Sequence, residues 1–572
     1  MQDVQEYLKH KSNTFFDPFG KQNHTTDDSD WTWWKGLIDV LCYLPYPKDY
    51  CQKFVSSLKA YYAGNTAQIR VLEEFEQYYS RDRTIWYYTR DTFLYRLMNK
   101  ALRQRNIELT FLFGFFLQDM YRQLNCEHKM FKLANLENPV FNVYRGQLMS
   151  RNEIQQLKYN GYILNNSFLS TTFERSLASV FLNSSAEPED EFQNILFEIE
   201  IDIREKSRPY ADISNLSQFA NESEILFMIG TEFHIDDMSY DENEKTWIVR
   251  LKLTHDDDGD KKCNKNFESI TKRTLMDCVN LLDDYEITDA AVEEIDTIFN
   301  ELIALFPSGK WILAAKFYRL AIKQNSVKKN YTVVLTNYHQ ALKIWREYIN
   351  DDELNSFMDI GKIHSGIGHY YEYQLEIKSL SKKHYDLAIR YYQLAIEKTA
   401  TDYEKKHIFN ELSSLYGSKM KFSTDEIIRL KNGLMAIKYK ELSFQIILKY
   451  RSPDYEDGYC IRNLADLYKS IQKYDDALTS YEKALRIFLQ QPEVDLSFVT
   501  MTCNAIISIY IEHKHDYHSA LKYQLIINEY KKEQPLPPIE ERPTVEIKLH
   551  PDTGLDDKDA EMIVAIEKNL PK

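Results

Sequence analysis

The sequence predicts two folds in one chain: an α+β domain with a helical lead-in and a mixed or antiparallel sheet cleft, then an all-α solenoid. Three observations carry this. Apolar residues recur at three and four up to about Leu124, then alternate with polar ones at period two between Ile195 and Leu253. Helices followed by short strands are the order of an α+β domain. Beyond about residue 300 a small–aromatic–small pattern returns along helical stretches, as in stacked helix pairs.

The bulk properties exclude several classes. With 572 residues the chain exceeds one core, and the usual domain size gives about three to four units. With 28% charged residues, 44% apolar residues and 41 tyrosines, the composition favours packed aromatic helices over disorder. A net charge of −16 argues against a nucleic-acid partner, since phosphate binding needs a basic face. The seven cysteines (Cys42, Cys51, Cys126, Cys263, Cys278, Cys460, Cys503) are scattered without a C-x-x-C pair, so neither a zinc site nor a disulfide framework is expected. The start M-Q-D-V-Q-E lacks a signal peptide's layout, no run of about 18 apolar residues occurs, and the end E-K-N-L-P-K has no anchor. The expectation is no membrane, no metal and a cytoplasmic setting.

Taken in order, residues 1 to about 30 are polar, and 1–80 form a mostly helical extension. V-S-S-L-K-A-Y-Y and I-R-V-L-E-E-F-E-Q-Y-Y between Trp31 and Tyr79 show helical recurrence. Arg90 to Arg103 sets Leu94, Leu97, Met98 and Ala101 on one stripe, as an amphipathic helix requires. A further helix is predicted over Ile107 to Leu124. Tyr162 to Leu169 is apolar and leads into Ser170-Thr171-Thr172, after which Leu177, Ala178 and Phe181 mark a helix; Thr171 with Glu174 matches a capping box. Ile195 to Ile203 and Trp247 to Leu253 alternate as half-buried strands. The α+β domain spans 81–255, and 256–300 is an acidic linker and helix that begins with the solvated run Asp256 to Asp260.

The helical array covers 301–535. Y-D-L-A-I-R-Y-Y-Q-L-A-I from Tyr385 and Y-D-D-A-L-T-S-Y-E-K-A-L from Tyr474 are its clearest copies, with partial ones at Asn337 and Tyr517. Ala465, Ala477 and Ala484 are the small positions; Tyr468 and Tyr481 are the aromatic ones. Tyr468 recurs as Tyr510, about 42 residues on. This resembles the tetratricopeptide repeat in its longer, kinesin-light-chain-like form, with roughly five units. The resemblance implies a peptide or protein ligand. The proline-punctuated segment after Gln534 opens a polar tail, 536–572.

Three short signatures carry chemistry: V-Y-R-G at Val143 to Gly146, F-L-S-T-T-F at Phe168 to Phe173, and E-S-E at Glu222 to Glu224. A guanidinium such as Arg145 grips phosphate oxygens through paired charge-assisted bonds, and Gly146 lets backbone come close. In an extended chain Glu222 and Glu224 point to one face and raise each other's pKa, which suits one anion and one proton acceptor. Each signature also has a plainer account: a surface ion pair for Arg145, an acidic strand start for Glu222 and Glu224, core packing for Phe173.

In this order the signatures resemble the arginine-type (R-S-E-x-E) mono-ADP-ribosyltransferases, related to the cholera-toxin-like group, over roughly 80 to 255. The resemblance implies that Arg145, Gly146, Ser170, Thr171 and Phe173 bind NAD, or possible NADP, as co-substrate. It also implies that Ser170 holds Glu224, that Glu224 stabilises the positive charge developing on the ribose, and that Glu222 orients an arginine acceptor. Phe219 is the implied aromatic of the substrate-contacting turn. Thr172 stands where the family has serine, which keeps the hydroxyl. The implied activity is transfer of ADP-ribose to arginine side chains of proteins recruited by the repeats. An NAD glycohydrolase, or a non-catalytic adaptor with an inactive transferase fold, uses the same residues differently and stays open.

Overall fold

The computed structural model describes residues 31–533 apart from 91, 181, 183–190, 219–222, 255–274, 285, 328–330, 349–352, 400, 451–454 and 491–495. The polar start, Phe181, the Asp256–Asp260 run and the tail after Gln534 lie outside the described residues. The chain divides into two compact units, Met1–Asn337 and Tyr338–Lys572.

In the first unit, α1 (Trp31–Tyr43), α2 (Tyr50–Tyr61) and α3 (Thr66–Tyr78) come first, followed by α4 (Thr84–Thr89) and α5 (Phe93–Arg103). The Asn65 side chain caps α3 by accepting from the Gln68 amide at 3.2 Å. On α5 the stripe Leu94, Leu97, Met98 and Ala101 is buried, as its spacing predicts. The helix predicted over Ile107 to Leu124 is instead two, α6 (Ile107–Leu112) and α7 (Gly114–Ala134). The chain bends at Phe113, where Gly114 lies so close to the Tyr46 hydroxyl that a Cβ would overlap it.

These helices share one core. Phe54 of α2 packs at 5.3 Å from Phe113 and 5.1 Å from Phe115. Gln118 Nε2 donates to the Cys42 and Leu44 carbonyls, at 3.0 and 2.8 Å. The far end of α7 then reaches the sheet, where His128 and Phe131 pack on Tyr210 at 4.7 and 6.1 Å.

The sheet comprises β1 (Val140–Ser150), β2 (Tyr162–Leu164), β3 (Leu169–Thr172), β4 (Phe192–Asp202), β5 (Tyr210–Asp212), β6 (Glu224–Phe227), β7 (Glu232–Asp241) and β8 (Thr246–Leu253). Its order is β2-β7-β8-β4-β1-β3-β6-β5. Among the described residues only β4 and β8 pair in parallel, so the sheet is mixed. Helix α8 (Arg151–Asn160) follows β1, started by a Ser150–Glu153 capping box and ended by Gly161 at φ 69°. Helix α9 (Arg175–Ser179) follows β3. Ile195, Phe197, Ile199 and Ile201 of β4 enter one apolar cluster with Val143, Ile225, Phe227, Val249 and Leu251. Leu196 on the opposite face is buried as well, whereas Glu198 and Glu200 further along that face are half-buried and exposed. Each such aliphatic side chain contributes about 1.5–3 kcal/mol by leaving water.

A buried ion pair joins α1 to the approach to β5: Arg208 donates to both carboxylate oxygens of Asp39. Helix α10 (Leu275–Asp284) packs on α1, with Cys278 Sγ at 3.6 Å from the Tyr43 carbonyl. Helices α11 (Val292–Leu305) and α12 (Trp311–Val327) follow, and Arg319 Nε and Nη2 both bind Asp283 at 2.7 Å.

Helix α13 (Tyr331–Tyr348) spans the boundary between units. The second unit is all-helical: α14 (Glu353–Tyr373) with α15 (Lys378–Lys398), α16 (Asp402–Phe422) with α17 (Glu426–Tyr450), α18 (Tyr455–Ser470) with α19 (Tyr474–Leu489), and α20 (Leu496–Ile509) with α21 (Tyr517–Glu533). Its main contacts join consecutive helices, the quasi-one-dimensional packing of a solenoid. Ala465, Ala477 and Ala484 are fully buried. Gly368 abuts the Tyr385 ring and Gly458 the Phe488 ring, where a Cβ would not fit. The Tyr481 hydroxyl donates to Asp466 and that of Tyr468 to Glu441. Among the described residues no helix is long and apolar enough to cross a membrane.

Candidate active site

Arg145, Ser170 and Glu224, one residue from each signature, lie on neighbouring strands β1, β3 and β6. Arg145 is mid-strand in β1 and pairs with Phe197 of β4. On its other side β1 meets β3 at Tyr144↔Thr172. Past that point the strands part, and the Arg145 guanidinium takes the place of a ladder donor: Nη1 gives a 2.7 Å bond to the Ser170 carbonyl. Nε donates to Gln147 Oε1 at 3.1 Å. Arg145 is thus fixed to the backbone of the residue expected to work beside it. Burial lowers its pKa, an effect opposed by Tyr95, Tyr88 and Glu224 and reinforced by Arg103. It stays charged at neutral pH. Gly146 is obligatory for packing, because a Cβ there would overlap the Ala178 carbonyl of α9.

Along β3, Ser170 faces Leu226, Thr171 faces Ile225 and Thr172 faces Glu224 of β6. Directly opposed residues share a sheet face, so Tyr144, Thr172 and Glu224 form a row across three strands. The expected Thr171–Glu174 capping box does not form. Thr171 donates its hydroxyl to the Ile225 carbonyl at 3.0 Å. Glu174 itself is the N-cap of α9, and its amide donates to Thr172 Oγ1 at 3.2 Å. Cross-strand bonding outcompetes the local cap because Thr171 is buried against β6. Phe173 lies at the rim, 36% exposed and tilted on Phe141 at 5.6 Å.

Glu224 begins β6 and is buried. Ser223 before it sits at φ 44°, in the left-handed region that costs a serine strain. At Ser223 itself the backbone is not extended. Glu222 and Phe219 lie outside the described residues.

Residues that the motif reading passed over also converge here. Tyr95, Tyr88, Arg103 and Glu224 all act electrostatically on Arg145. Tyr88 of α4 packs at 5.1 Å from Phe168, and Asn99 Nδ2 donates to its hydroxyl at 3.2 Å. Tyr95, Asn99 and Arg103 stand at i, i+4 and i+8, a polar line beside the apolar stripe of α5 and the one signal the sequence offered. The Thr89 hydroxyl accepts from the Gln218 amide at 2.9 Å, tying the turn after β5 to α4.

The arrangement offers a half-buried guanidinium on β1, hydroxyls on β3 and a buried carboxylate on β6, three neighbouring strands. Such a set suits a diphosphate at one end and a developing positive charge at the other. Residues 79–256 match the family model described as ADP-ribosyltransferase exoenzyme. No curated protein gives a match to the sequence. Among solved structures, the chain is similar to Vis toxin, an ADP-ribosyltransferase from Vibrio splendidus, at 17% identity over 38% of this chain and 91% of that one, TM-score 0.23. It is similar to ADP-ribosyltransferase HopU1 of Pseudomonas syringae pv. tomato DC3000 at 18% identity, covering 41% of this chain and 100% of that one, TM-score 0.22. It is also similar to BtubC (BKLC) from P. vanneervenii at 17% identity over 46% and 96% of the two chains, TM-score 0.32. The chain carries an ADP-ribosyltransferase exoenzyme domain on a mixed sheet, of a family that uses NAD as co-substrate, followed by an all-helical region.

Proposed function

We propose that the chain is an NAD-dependent protein-arginine mono-ADP-ribosyltransferase. The observation that supports this reading is the Arg145–Ser170 bond beside the Thr172–Glu224 pair, with Arg145, Ser170 and Glu224 on three neighbouring strands. Arg145 binds the diphosphate, with Gly146, Ser170, Thr171 and Phe173 completing the NAD site. NADP fits the same guanidinium. Ser170 steadies Glu224, and Glu224 stabilises the positive charge that grows on the ribose as the nicotinamide bond breaks. Glu222 orients the acceptor guanidinium and takes its proton as nitrogen bonds to the ribose carbon, and Phe219 contacts the acceptor. The E-x-E spacing supports arginine as acceptor. We assign catalysis to 81–255, preceded by the extension 1–80 and followed by the linker 256–300. Recruitment of protein targets falls to tetratricopeptide-like repeats over 301–535, ahead of the tail 536–572. The scattered cysteines go with a cytoplasmic setting.

The test is nicotinamide release from labelled NAD with and without an arginine analogue, followed by mapping of the modified side chains. Faster release with the analogue and label on arginine support the reading. Release indifferent to the analogue would point to glycohydrolysis instead. Glu222→Ala is expected to abolish transfer to the analogue while NAD hydrolysis continues. Parallel loss of both would remove Glu222 from acceptor recognition.

A further inference from the structure

The second unit holds a cleft of about 510 Å³ between α13, α14 and α15. Helix α13 contributes His339, Lys343, Arg346 and Glu347, α14 contributes His364, and α15 contributes Lys383 and His384. Six of these seven side chains are cationic or imidazole, on a chain whose net charge is −16. Composition alone would not gather them there.

The floor of the cleft is built around His364. This residue is 2% exposed, and its ring stacks on Tyr391 at 5.8 Å. Its Nδ1 lies 3.0 Å from His384 Nδ1, so one ring must donate and the other accept. Its Nε2 is buried with no hydrogen-bond partner among the described residues. Burial, then His384, Arg346 and His339, push the His364 pKa down to about 3. Burial, then His339 and Lys383, push His384 down to about 4. Both rings are therefore neutral near pH 7. Carboxylates brought into the cleft would reverse this balance, because opposite charge favours the imidazolium form.

We propose that this cleft binds an Asp/Glu-rich segment of a partner protein, and that binding draws a proton from solvent onto the His364–His384 pair. Lys343, Arg346 and Lys383 supply exposed cations for several carboxylates, and the added proton lets the pair donate to one more. The proposal is independent of the chemistry of the first unit, so peptide binding and transferase activity stand or fall separately.

The experiment uses the full chain and a fluorescein-labelled deca-glutamate peptide, with a deca-glutamine peptide as control. Anisotropy is followed from about pH 7.5 to about pH 5.5, where peptide carboxylates remain ionised. Calorimetry in two buffers of different ionisation enthalpy counts protons. The glutamate peptide is expected to bind with proton uptake and to tighten as pH falls, by up to about tenfold per pH unit for one proton. Arg346→Glu and Lys383→Glu, at exposed positions, should weaken it at least about tenfold with the circular dichroism unchanged. His384→Gln should keep binding near pH 7.5 and flatten the pH profile. Equal binding of the glutamine peptide, a flat profile in the unaltered chain, or a profile that survives His384→Gln would overturn the proposal. So would full displacement by millimolar inorganic phosphate, which would make this a small-anion site.

Discussion

Glu224→Gln is the sharpest perturbation of the proposed chemistry. It removes one charge, keeps the side chain's shape, and leaves the row through Thr172 and Tyr144 intact. Glu224 is 7% exposed, so its field is weakly screened. At an effective dielectric of about 20, a unit charge about 4 Å from the positive charge growing on the ribose contributes about 4 kcal/mol. That corresponds to roughly a thousandfold in rate. Because the charge is present only in the transition state, kcat should fall by this factor while KM for NAD changes little. Nicotinamide release at saturating NAD, with circular dichroism confirming the fold, measures it. A folded variant that loses less than about tenfold would remove Glu224 from the role assigned to it.

Three further perturbations test the frame around the site. Asp39→Ala removes the carboxylate that the buried Arg208 guanidinium bonds and should cost about 3–5 kcal/mol in urea unfolding; a loss under about 1 kcal/mol would show the pair to be incidental. Gly146→Ala drives a methyl into the Ala178 carbonyl and to 3.1 Å from Leu182 Cδ2. It should cost about 1–3 kcal/mol and, by displacing α9 from β3, lower nicotinamide release; unchanged stability would mean α9 yields freely. Glu301 has its pKa raised to about 7 by burial, with Glu108 adding to the shift. The folded chain then holds this proton more tightly than the unfolded one, so the contribution is present below about pH 4.5 and is lost as pH rises through about 7. Glu301→Gln should therefore match the unaltered chain near pH 4.5 and exceed it by up to about 3 kcal/mol above pH 7; a pH-independent difference would contradict this.

Much of the architecture was legible because it follows from local periodicity. The stripe on α5 and the alternation along β4 and β8 each report a face that must leave water, and the structure buries those faces. Strand β7 was not legible. Its sequence E-F-H-I-D-D-M-S-Y-D is polar along most of its length, and its pairing with β2 and β8 is a backbone matter. The close approach of Gly114 to Tyr46 was hidden too, since Tyr46 lies far away in the chain.

The chain by itself determined which side chains are available for chemistry: a guanidinium in V-Y-R-G, hydroxyls in S-T-T, carboxylates in E-S-E. It could not determine that β1 and β3 part just beyond Tyr144, leaving the Ser170 carbonyl to Arg145. Nor could it show that Thr171 bonds across to β6 instead of capping α9, or that Ser223 turns left-handed before Glu224. Periodicity and spacing are local properties that each segment carries alone. Which backbone donor meets which acceptor across the sheet is decided only when distant strands compete for the same groups.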